Sequence, residues 1–326
     1  MLGEQDLIIG CSQQIKLILA KVEKIANTPY NVLITGETGT GKELVARTIH
    51  NKSKRNKNPF VAINCAAIPE SLFESELFGI EKGIATGVER RIGKIGAAQN
   101  GHVFLDEIGE MPIHFQSKVL RVTEGKSFEL LGSLIKCPMN ARIISATNKE
   151  LKKEIEAGRF REDLFYRLNV IPIHIPSLRE RKDDILVLAH HFLNKAKEIL
   201  SKNINGISPQ AIKILVEYTW PGNVRELKNA VERAAIFSDN CEITASDLEQ
   251  SIDFECTHTA LSKLQGAEAS MIMNALKETG GNKTETAKYL GMCRETLRMK
   301  MKLYGIIVPF NFSHIQSEDV DIKDHQ

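Results

Sequence analysis

The sequence predicts an α/β domain built on a parallel sheet, followed by a helical subdomain and a separate small all-α domain. In the first 176 residues, short apolar runs alternate with helical patterns, which is typical of a parallel sheet covered by helices. From Lys182 to about Asp239 the apolar periodicity is helical throughout, and it becomes helical again over residues 263–305. A chain of 326 residues is long enough for two or three such units.

Five apolar runs are predicted to be strands that are buried on both faces of the sheet. They are Asn31–Thr35, Phe60–Asn64, His102–Leu105, Arg142–Thr147 and Val170–Ile175. Helices are predicted between them, for example over Glu43–Asn51 and Ile113–Glu124. The predicted organisation is an α/β subdomain (1–176), a helical subdomain (177–240), a linker (241–262), a second helical domain (263–305) and a flexible tail (306–326).

Composition and charge exclude several classes of protein. The net charge of +2 is too small to mark the whole chain as a nucleic-acid binder, so any such function must occupy a local patch. The sequence has no N-terminal apolar run behind a basic start and no run of about 18 apolar residues, so we expect neither a signal peptide nor a membrane span. The six cysteines lack zinc-binding spacing and fit buried thiols in a reducing cytosol, so we expect a cytoplasmic protein.

A phosphate-binding loop follows the first predicted strand and opens a helix. It reads GETGTGKE and fits the pattern G-x-x-x-x-G-K. Its glycines allow backbone N–H groups to surround phosphate oxygens, and the helix N-terminus adds positive potential. Lys42 is expected to reach the β- and γ-phosphates, whereas Glu43 stands where a Mg²⁺-contacting hydroxyl is usual. The predicted nucleotide-binding residues are Gly36, Glu37, Thr38, Gly39, Thr40, Gly41, Lys42 and Glu43.

Two acidic residues, Asp106 and Glu107, end the strand that begins at His102. A carboxylate at such a strand end can hold Mg²⁺, and the next one can orient an attacking water. We assign Asp106 to the metal and Glu107 to the water. Many Asp-Glu pairs are merely solvated strand ends, but together with the phosphate-binding loop this pair predicts hydrolysis of ATP with Mg²⁺.

Three arginines occur within the segment Arg159–Arg167, beside several acids. Taken alone, this pattern favours a solvated helix with local ion pairs. In a phosphoryl-transfer ATPase, however, an arginine from a neighbouring subunit can stabilise the transition state. That role would require an oligomer.

Together these motifs resemble one family, the NtrC-type bacterial enhancer-binding proteins, which are AAA+ activators of sigma-54 RNA polymerase. The resemblance extends over roughly residues 8–305. It rests on the segments GETGTGKE, FVAINCAAIPESLFESELFG, HVFLDEIGEMP, SATN, GRFREDLFYRLNVIPIHIPSLRERKDDI and WPGNVRELKN. It implies an AAA+ P-loop domain with a helical lid, and a homo-oligomer that ranges from a dimer to a hexameric ring with ATP at each subunit boundary.

The resemblance also implies roles for individual residues. Asn64 would restrain Glu107 until the γ-phosphate is sensed, and Asn148 would be the sensor at the end of the fourth strand. Ile9 and Gly10 would lie near the adenine.

Three arginines receive roles from the same resemblance. Arg161 and Arg167 match the pair of arginine fingers that act on the ATP of the neighbouring subunit. Arg225, in the segment GNVREL, matches the lid residue that contacts nucleotide.

Residues 83–88 match the family's sigma-54 contact loop, which reads Gly-Ala-Phe-Thr-Gly-Ala and moves when the nucleotide changes state. The matching residues are Gly83, Thr86 and Gly87, and the differing ones are Ile84, Ala85 and Val88. A methyl group at Ala85 therefore replaces the aromatic side chain that would be the main contact. Ile84 supplies an apolar group one position earlier.

Residues 268–304 have the spacing of a helix-turn-helix and resemble the Fis-type domain of this family. A second helix is predicted over Thr284–Leu290, a tight turn over Gly291–Cys293 and a third helix over Arg294–Tyr304. The third helix is basic, whereas Leu297 and Met301 would face the core. The predicted DNA-binding residues are Thr284, Arg294, Glu295, Thr296, Arg298, Lys300 and Lys302.

The leading hypothesis is a sigma-54-dependent regulator that binds upstream DNA and uses ATP hydrolysis to remodel the polymerase closed complex. A second hypothesis is a DNA-binding AAA+ regulator or repressor that does not activate sigma-54 because its loop lacks the phenylalanine. A third is a mechanochemical ATPase such as an unfoldase, against which the helix-turn-helix argues. Because the ATPase module begins within the first ten residues, we expect no N-terminal regulatory domain in this chain.

Overall fold

The computed structural model describes residues 8–82, 89–125, 127–133 and 135–252, together with 271–272, 275–276, 278–279 and 282–303. Contacts within the chain define two compact units, Met1–Ser251 and Ile252–Gln326. No helix in the described part of either unit is long and apolar enough to cross a bilayer.

The first unit contains a parallel sheet of five strands, and all five predicted strands are present. They are β1 (Val32–Thr35), β2 (Phe60–Asn64), β5 (His102–Asp106), β8 (Arg142–Thr147) and β9 (Ile171–His174). Their order in the sheet is β2-β5-β8-β1-β9, and every neighbouring pair is parallel. The carboxyl ends of these strands therefore meet at one edge, where β1 leads into the P-loop and β5 ends at Asp106.

Helices cover both faces of the sheet, and the three central strands β1, β5 and β8 are almost wholly buried, which explains their continuous apolar runs. The prediction of burial on both faces is wrong for the edge strands β2 and β9, most of whose residues are partly buried or exposed. Leu33 points into a cluster with Phe73 and Phe115 on one face, whereas Ile34 joins Ile15 and other aliphatic side chains on the opposite face. The second face is covered by α1 (Gln13–Ile25) and α2 (Lys42–Asn51). The first face is covered by α3 (Glu70–Phe78), α4 (Lys94–Ala97), α5 (Ile113–Gly125), α6 (Leu151–Glu156) and α7 (Glu162–Leu168).

Two short antiparallel pairs lie outside the main sheet, and the sequence did not predict them because they are too short to show a period. They are β3 (Gly79–Ile80) with β4 (Arg91–Ile92), and β6 (Ser127–Glu129) with β7 (Lys136–Pro138). Leu131 joins the two pairs, since its N–H donates to Gly79 O and its carbonyl accepts from Glu81 N–H, each at 3.0 Å. The predicted sigma-54 loop, Gly83–Val88, lies outside the described residues.

The helical subdomain contains α8 (Asp183–Leu200), α9 (Pro209–Glu217), α10 (Asn223–Phe237) and α11 (Ala245–Ser251), with a short parallel pair of β10 (Gly206–Ile207) and β11 (Glu242–Ile243). Helix α11 packs on α9 and α10. The predicted linker over 241–262 is therefore wrong for residues 242–251. Its polar composition concealed Ile243 and Leu248, which are fully buried and attach this segment to the subdomain.

The second unit has a small core of Ile272, Leu276, Ala287, Leu297 and Met301. The predicted helix-turn-helix is confirmed, with α12 (Lys283–Tyr289) and α13 (Arg294–Leu303) joined by a turn at Gly291, whose φ is 65°. The Asn282 side chain caps α12 by accepting a hydrogen bond from Thr284 N–H at 3.1 Å. Tyr304 and the predicted tail lie outside the described residues.

Candidate nucleotide-binding site

The P-loop connects β1 to α2 in a conformation that requires glycine. Gly39 and Gly41 have φ values of 80° and 101°, a region that other residues rarely adopt. Gly41 is the residue immediately before α2, so the end of the loop lies at a helix N-terminus, where free N–H groups can bind an anion. Lys42, the first residue of α2, is 7% exposed, and its Nζ donates to Gly36 O at 3.1 Å and Glu37 O at 3.3 Å. The loop is therefore folded around its own lysine.

The acid pair lies beside this lysine, as the sequence predicts. Glu107 Oε1 is 3.6 Å from Lys42 Nζ, and Glu107 Oε2 accepts a hydrogen bond from Asn148 N–H at 3.2 Å. The Asn148 amide in turn donates to Thr38 Oγ1 at 3.0 Å. Glu107 itself has a left-handed φ of 48°, which turns its carboxylate out of the direction of β5. Four predicted residues from three segments are thus joined by two hydrogen bonds and one ion pair.

Asp106 is half-buried at the end of β5, and its Oδ1 accepts a hydrogen bond from Glu107 N–H at 3.1 Å. Burial raises the pKa of the Asp106 carboxyl above its usual value, and the neighbouring Glu107 charge raises it further. Nearby, Lys42 is a single positive charge that faces two carboxylates. A divalent cation fits this donor set, because it would offset the remaining negative charge and is bound by carboxylate oxygens.

Asn64 is paired with Asp106 across the sheet, but among the described residues it forms no hydrogen bond with Glu107. Its Oδ1 accepts a hydrogen bond from Ala66 N–H at 2.9 Å. Within the described residues, Glu107 is held by Lys42 and Asn148 instead. Restraint of Glu107 by Asn64 stays a prediction.

Glu43 is bound by a residue of its own helix. Its Oε1 accepts hydrogen bonds from Arg47 Nε and Nη2 at 2.9 and 2.7 Å, one helical turn further along α2. Arg47 also lies over the Phe60 ring, 4.9 Å from its centroid. Glu43 therefore forms a surface ion pair in this conformation.

The helical subdomain supplies several contacts to the P-loop that the sequence did not predict. Asn223 Nδ2 donates to Glu37 Oε2 at 3.1 Å and to Thr38 O at 3.0 Å. Arg179 forms an ion pair with the Glu37 carboxylate, and these two partners lower the pKa of Glu37 below its usual value. Asn223 lies in the segment WPGNVRELKN that carries the family resemblance, but a role was predicted there only for Arg225.

Arg225 is placed at the P-loop by its backbone, because its N–H donates to Gly39 O at 3.3 Å. The N-terminal segment that contains Ile9 and Gly10 leads directly into a contact with the same subdomain. Cys11 N–H donates to Asp184 Oδ1 at 2.6 Å, and a Cβ at Gly10 would lie 3.0 Å from this atom. The predicted adenine-side segment is therefore fastened to the start of α8.

The two predicted arginine fingers bind within their own chain at α7. Arg161 Nη2 is 2.6 Å from Asp163 Oδ2, and the side chains are 42% and 45% exposed. Arg167 Nε and Nη2 donate to Thr123 O at 3.2 and 2.9 Å. Among the described residues, neither arginine forms a hydrogen bond or ion pair with the P-loop or the acid pair.

The predicted DNA-binding residues of the second unit are mostly accessible. Thr284, Arg294 and Arg298 are exposed, and Lys300 is half-buried. Thr296 Oγ1 lies 2.9 Å from Cys293 Sγ at the start of α13. The side chains of Glu295 and Lys302 lie outside the described part of the chain.

Three protein-family comparisons match consecutive segments of the chain. The family described as the sigma-54 interaction domain matches residues 8–174, the AAA+ ATPase lid domain matches 179–263, and the Fis family of bacterial regulatory proteins matches 264–304. The second match extends past the predicted end of the lid at residue 240, in agreement with the position of α11.

Known proteins show the same arrangement. The transcriptional regulatory protein ZraR of Escherichia coli strain K12 is 44% identical over 301 residues, which cover 90% of this chain and 68% of ZraR. The crystal structure of NtrX from Brucella abortus in complex with ADP is 36% identical and covers 93% of this chain and 70% of that one, with a TM-score of 0.72. The corresponding complex with ATP has a TM-score of 0.71.

These similarities agree with the geometry of the site. The first unit carries a sigma-54 interaction domain with an AAA+ lid, and the second unit contains a Fis-type helix-turn-helix. Nothing in the comparisons supports the repressor hypothesis. The chain belongs to the family of sigma-54-dependent transcriptional regulators.

Proposed function

We propose that this chain couples hydrolysis of ATP with Mg²⁺ to remodelling of the sigma-54 polymerase closed complex from DNA sites upstream of its promoters. The observation that carries the hydrolytic part is the position of Glu107, which Lys42 and Asn148 hold beside the P-loop. Its carboxylate is fixed at two points and can accept a proton from an attacking water. We assign the proton-accepting and water-orienting role to Glu107.

Lys42 Nζ donates hydrogen bonds to Gly36 O and Glu37 O, and both acceptors are neutral carbonyl groups. An anionic phosphate oxygen is a stronger acceptor for an ammonium group, so Lys42 exchanges these carbonyls for the β- and γ-phosphates. Asn148 bridges Glu107 and Thr38, so it can report the state of the phosphate to the carboxylate. Asp106 would hold Mg²⁺, which when bound neutralises charge on the β- and γ-phosphate oxygens.

Arg161 and Arg167 are proposed to act on the nucleotide of a neighbouring subunit. Both side chains are exposed, and each is bound only to its own helix or to Thr123 of α5. The Arg161 contact can be exchanged for phosphate oxygens at low cost, because an exposed ion pair contributes only ~0.2–1 kcal/mol. Arg167 would exchange a neutral carbonyl acceptor for an anionic oxygen, which is the stronger acceptor. The active form is then a homo-oligomer, and a ring is the arrangement that gives every subunit both an ATP site and a donor of arginines.

The two macromolecular partners, sigma-54 and upstream DNA, are proposed from the sequence. The loop Gly83–Val88 would contact sigma-54, with Ile84 and Val88 as its larger apolar side chains. The exposed face of α13, including Arg294 and Arg298, would contact upstream DNA in the cytoplasm.

Mixing two inactive variants tests the shared site. Glu107→Gln removes the water-orienting carboxylate and keeps both arginines. The double variant Arg161→Ala, Arg167→Ala keeps Glu107 and lacks both arginines. Each variant alone should turn over ATP about a thousandfold more slowly than the unaltered protein. An equimolar mixture should recover about a quarter of the original rate, because one subunit boundary in four then joins an intact acid to intact arginines. Full turnover by the arginine variant alone would refute the donation between subunits.

A further inference from the structure

The helical subdomain holds the carbonyl side of the P-loop. Thr38 O accepts a hydrogen bond from Asn223 Nδ2 at 3.0 Å. The next carbonyl, Gly39 O, accepts from two backbone N–H groups at the start of α10, those of Val224 at 3.0 Å and Arg225 at 3.3 Å. Two consecutive peptide groups of the loop are thus bound from the same helix end.

A third carbonyl extends the same contact. Thr40 O accepts a hydrogen bond from Arg181 Nη2 at 3.1 Å, and Arg181 is only 4% exposed. The loop and the subdomain also approach without space for a side chain, because a Cβ at Gly39 would lie 2.2 Å from Gly222 O. Three successive carbonyl groups therefore face the subdomain instead of water.

This contact determines which way the donors of the loop point. In a planar trans peptide group, the N–H points opposite to the C=O. Because the Thr38 carbonyl is turned towards Asn223, the N–H of Gly39 is turned to the other side of the loop. That is the arrangement in which a glycine-rich loop presents its N–H groups to phosphate oxygens.

Asn223 is well suited to this task and is fully used by it. Its side chain is completely buried, and its φ of 54° lies in the left-handed region, which Asn tolerates better than most residues. Its Nδ2 reaches Thr38 O and Glu37 Oε2, while its Oδ1 accepts from Leu178 N–H at 2.8 Å. One amide group therefore ties the P-loop, α10 and the segment before α8 together.

We propose that Asn223 is a positioning residue for phosphate binding. It does not touch the nucleotide but fixes the Thr38 peptide group, so that the donors of the P-loop are oriented before phosphate arrives. It also fixes the distance from the loop to Arg225, two residues further along α10. The inference rests on the P-loop being the nucleotide site. It means that the helical subdomain would act on the phosphates in two ways, directly through Arg225 and indirectly through the Asn223 contact with the P-loop.

The test compares ADP and adenosine binding by the full chain. Asn223→Gly removes the amide but keeps a residue that accepts the left-handed backbone. Its affinity for a fluorescent ADP should fall about tenfold, the effect of one or two lost hydrogen bonds. Its affinity for adenosine, measured by competition, should change less than about twofold, since adenosine has no phosphate. Equal loss for both ligands, or no loss for ADP, would overturn the proposal.

Two further variants separate this outcome from general damage. Asn223→Asp keeps the shape but replaces the donor by an oxygen facing Glu37 and Thr38 O, so ADP affinity should fall at least as far as with Gly. Ser208→Ala removes the cap of α9, where Ser208 Oγ accepts from Ala211 N–H, without any contact to the P-loop. It should lower the melting temperature and leave ADP affinity within about twofold.

Lys42→Ala distinguishes a wrong role for Asn223 from a wrong location of the nucleotide site. If it abolishes ADP binding while Asn223→Gly does not change it, the P-loop is the site and the positioning role alone is refuted. If Lys42→Ala leaves ADP binding intact, the nucleotide site itself has been placed wrongly.

Discussion

Mild acid should destabilise the first unit through a buried pair of histidines. His50, near the end of α2, and His102, the first residue of β5, have their Nδ1 atoms 2.9 Å apart. His102 is completely buried, and its Nε2 has no hydrogen-bond partner within the described residues. One proton shared between the two Nδ1 atoms satisfies both rings only while both are neutral.

The surroundings of the two histidines disfavour protonation of either imidazole to its charged form. Burial lowers the pKa of His102 to about 3, with further contributions from His50 and from the positive charges of Arg142 and Arg55. Arg142 is itself buried and donates to Tyr30 O and other neutral oxygens, so it remains an uncompensated charge near the pair. Burial also lowers the pKa of His50.

The sign and size of the effect follow from linkage. The unfolded chain takes up the His102 proton near pH 6.5, whereas the folded chain resists it until about pH 3. Stability is therefore complete above about pH 6.5 and is lost as the pH falls below that value. Each pH unit in this window costs up to ~1.36 kcal/mol per group, so lowering the pH from about 7.5 to about 5.5 should remove about 1.4 kcal/mol through His102.

Urea unfolding at the two pH values measures this loss. The fluorescence of Trp220, the single tryptophan, follows the first unit, in which it is fully buried. Because His102→Phe cannot titrate, it should lose about 1.4 kcal/mol less than the unaltered protein. His190→Gln, which alters an exposed histidine of α8, should behave like the unaltered protein. An equal acid-induced loss in His102→Phe and the unaltered protein would refute the reasoning.

Two further predictions concern the partners. Ile84→Ala should reduce open-complex formation by sigma-54 polymerase about tenfold without slowing ATP turnover, because it removes apolar contact area from the loop. If open complexes form only after Ala85→Phe, the natural loop does not perform this contact. Replacing Arg298 and Lys302 together by alanine should weaken DNA binding and reduce its salt slope by about two. A salt slope equal to that of the unaltered protein would exclude these side chains from phosphate contact.

The parts of the site that were predictable from the sequence are those encoded by neighbouring residues. The three glycines and Lys42 of the P-loop lie within seven consecutive positions, and Asp106 and Glu107 directly follow an apolar run. Such local patterns fix both the backbone conformation and the chemistry. The three central strands were predictable for a related reason, because burial on both faces leaves an uninterrupted apolar run.

The parts that were missed depend on contacts between distant residues. Asn223 and Thr38 are separated by 185 positions, and nothing near either of them indicates that one amide holds the other's carbonyl. The linker prediction failed because two buried side chains, Ile243 and Leu248, were outnumbered by polar neighbours. A short helix such as α11 needs few apolar residues when it packs on helices that are already formed, here α9 and α10. Composition alone therefore gave the wrong boundary.

The bridge at Leu131 has a mechanical consequence. Any load on the segment between β3 and β4 is shared with the β6–β7 hairpin, because Leu131 is hydrogen-bonded to both Gly79 and Glu81. Phe128 of that hairpin is buried in the large cluster that also contains Leu105 of β5. The β3–β4 pair is therefore linked through Leu131 and Phe128 to the cluster that contains Leu105, the residue immediately before Asp106.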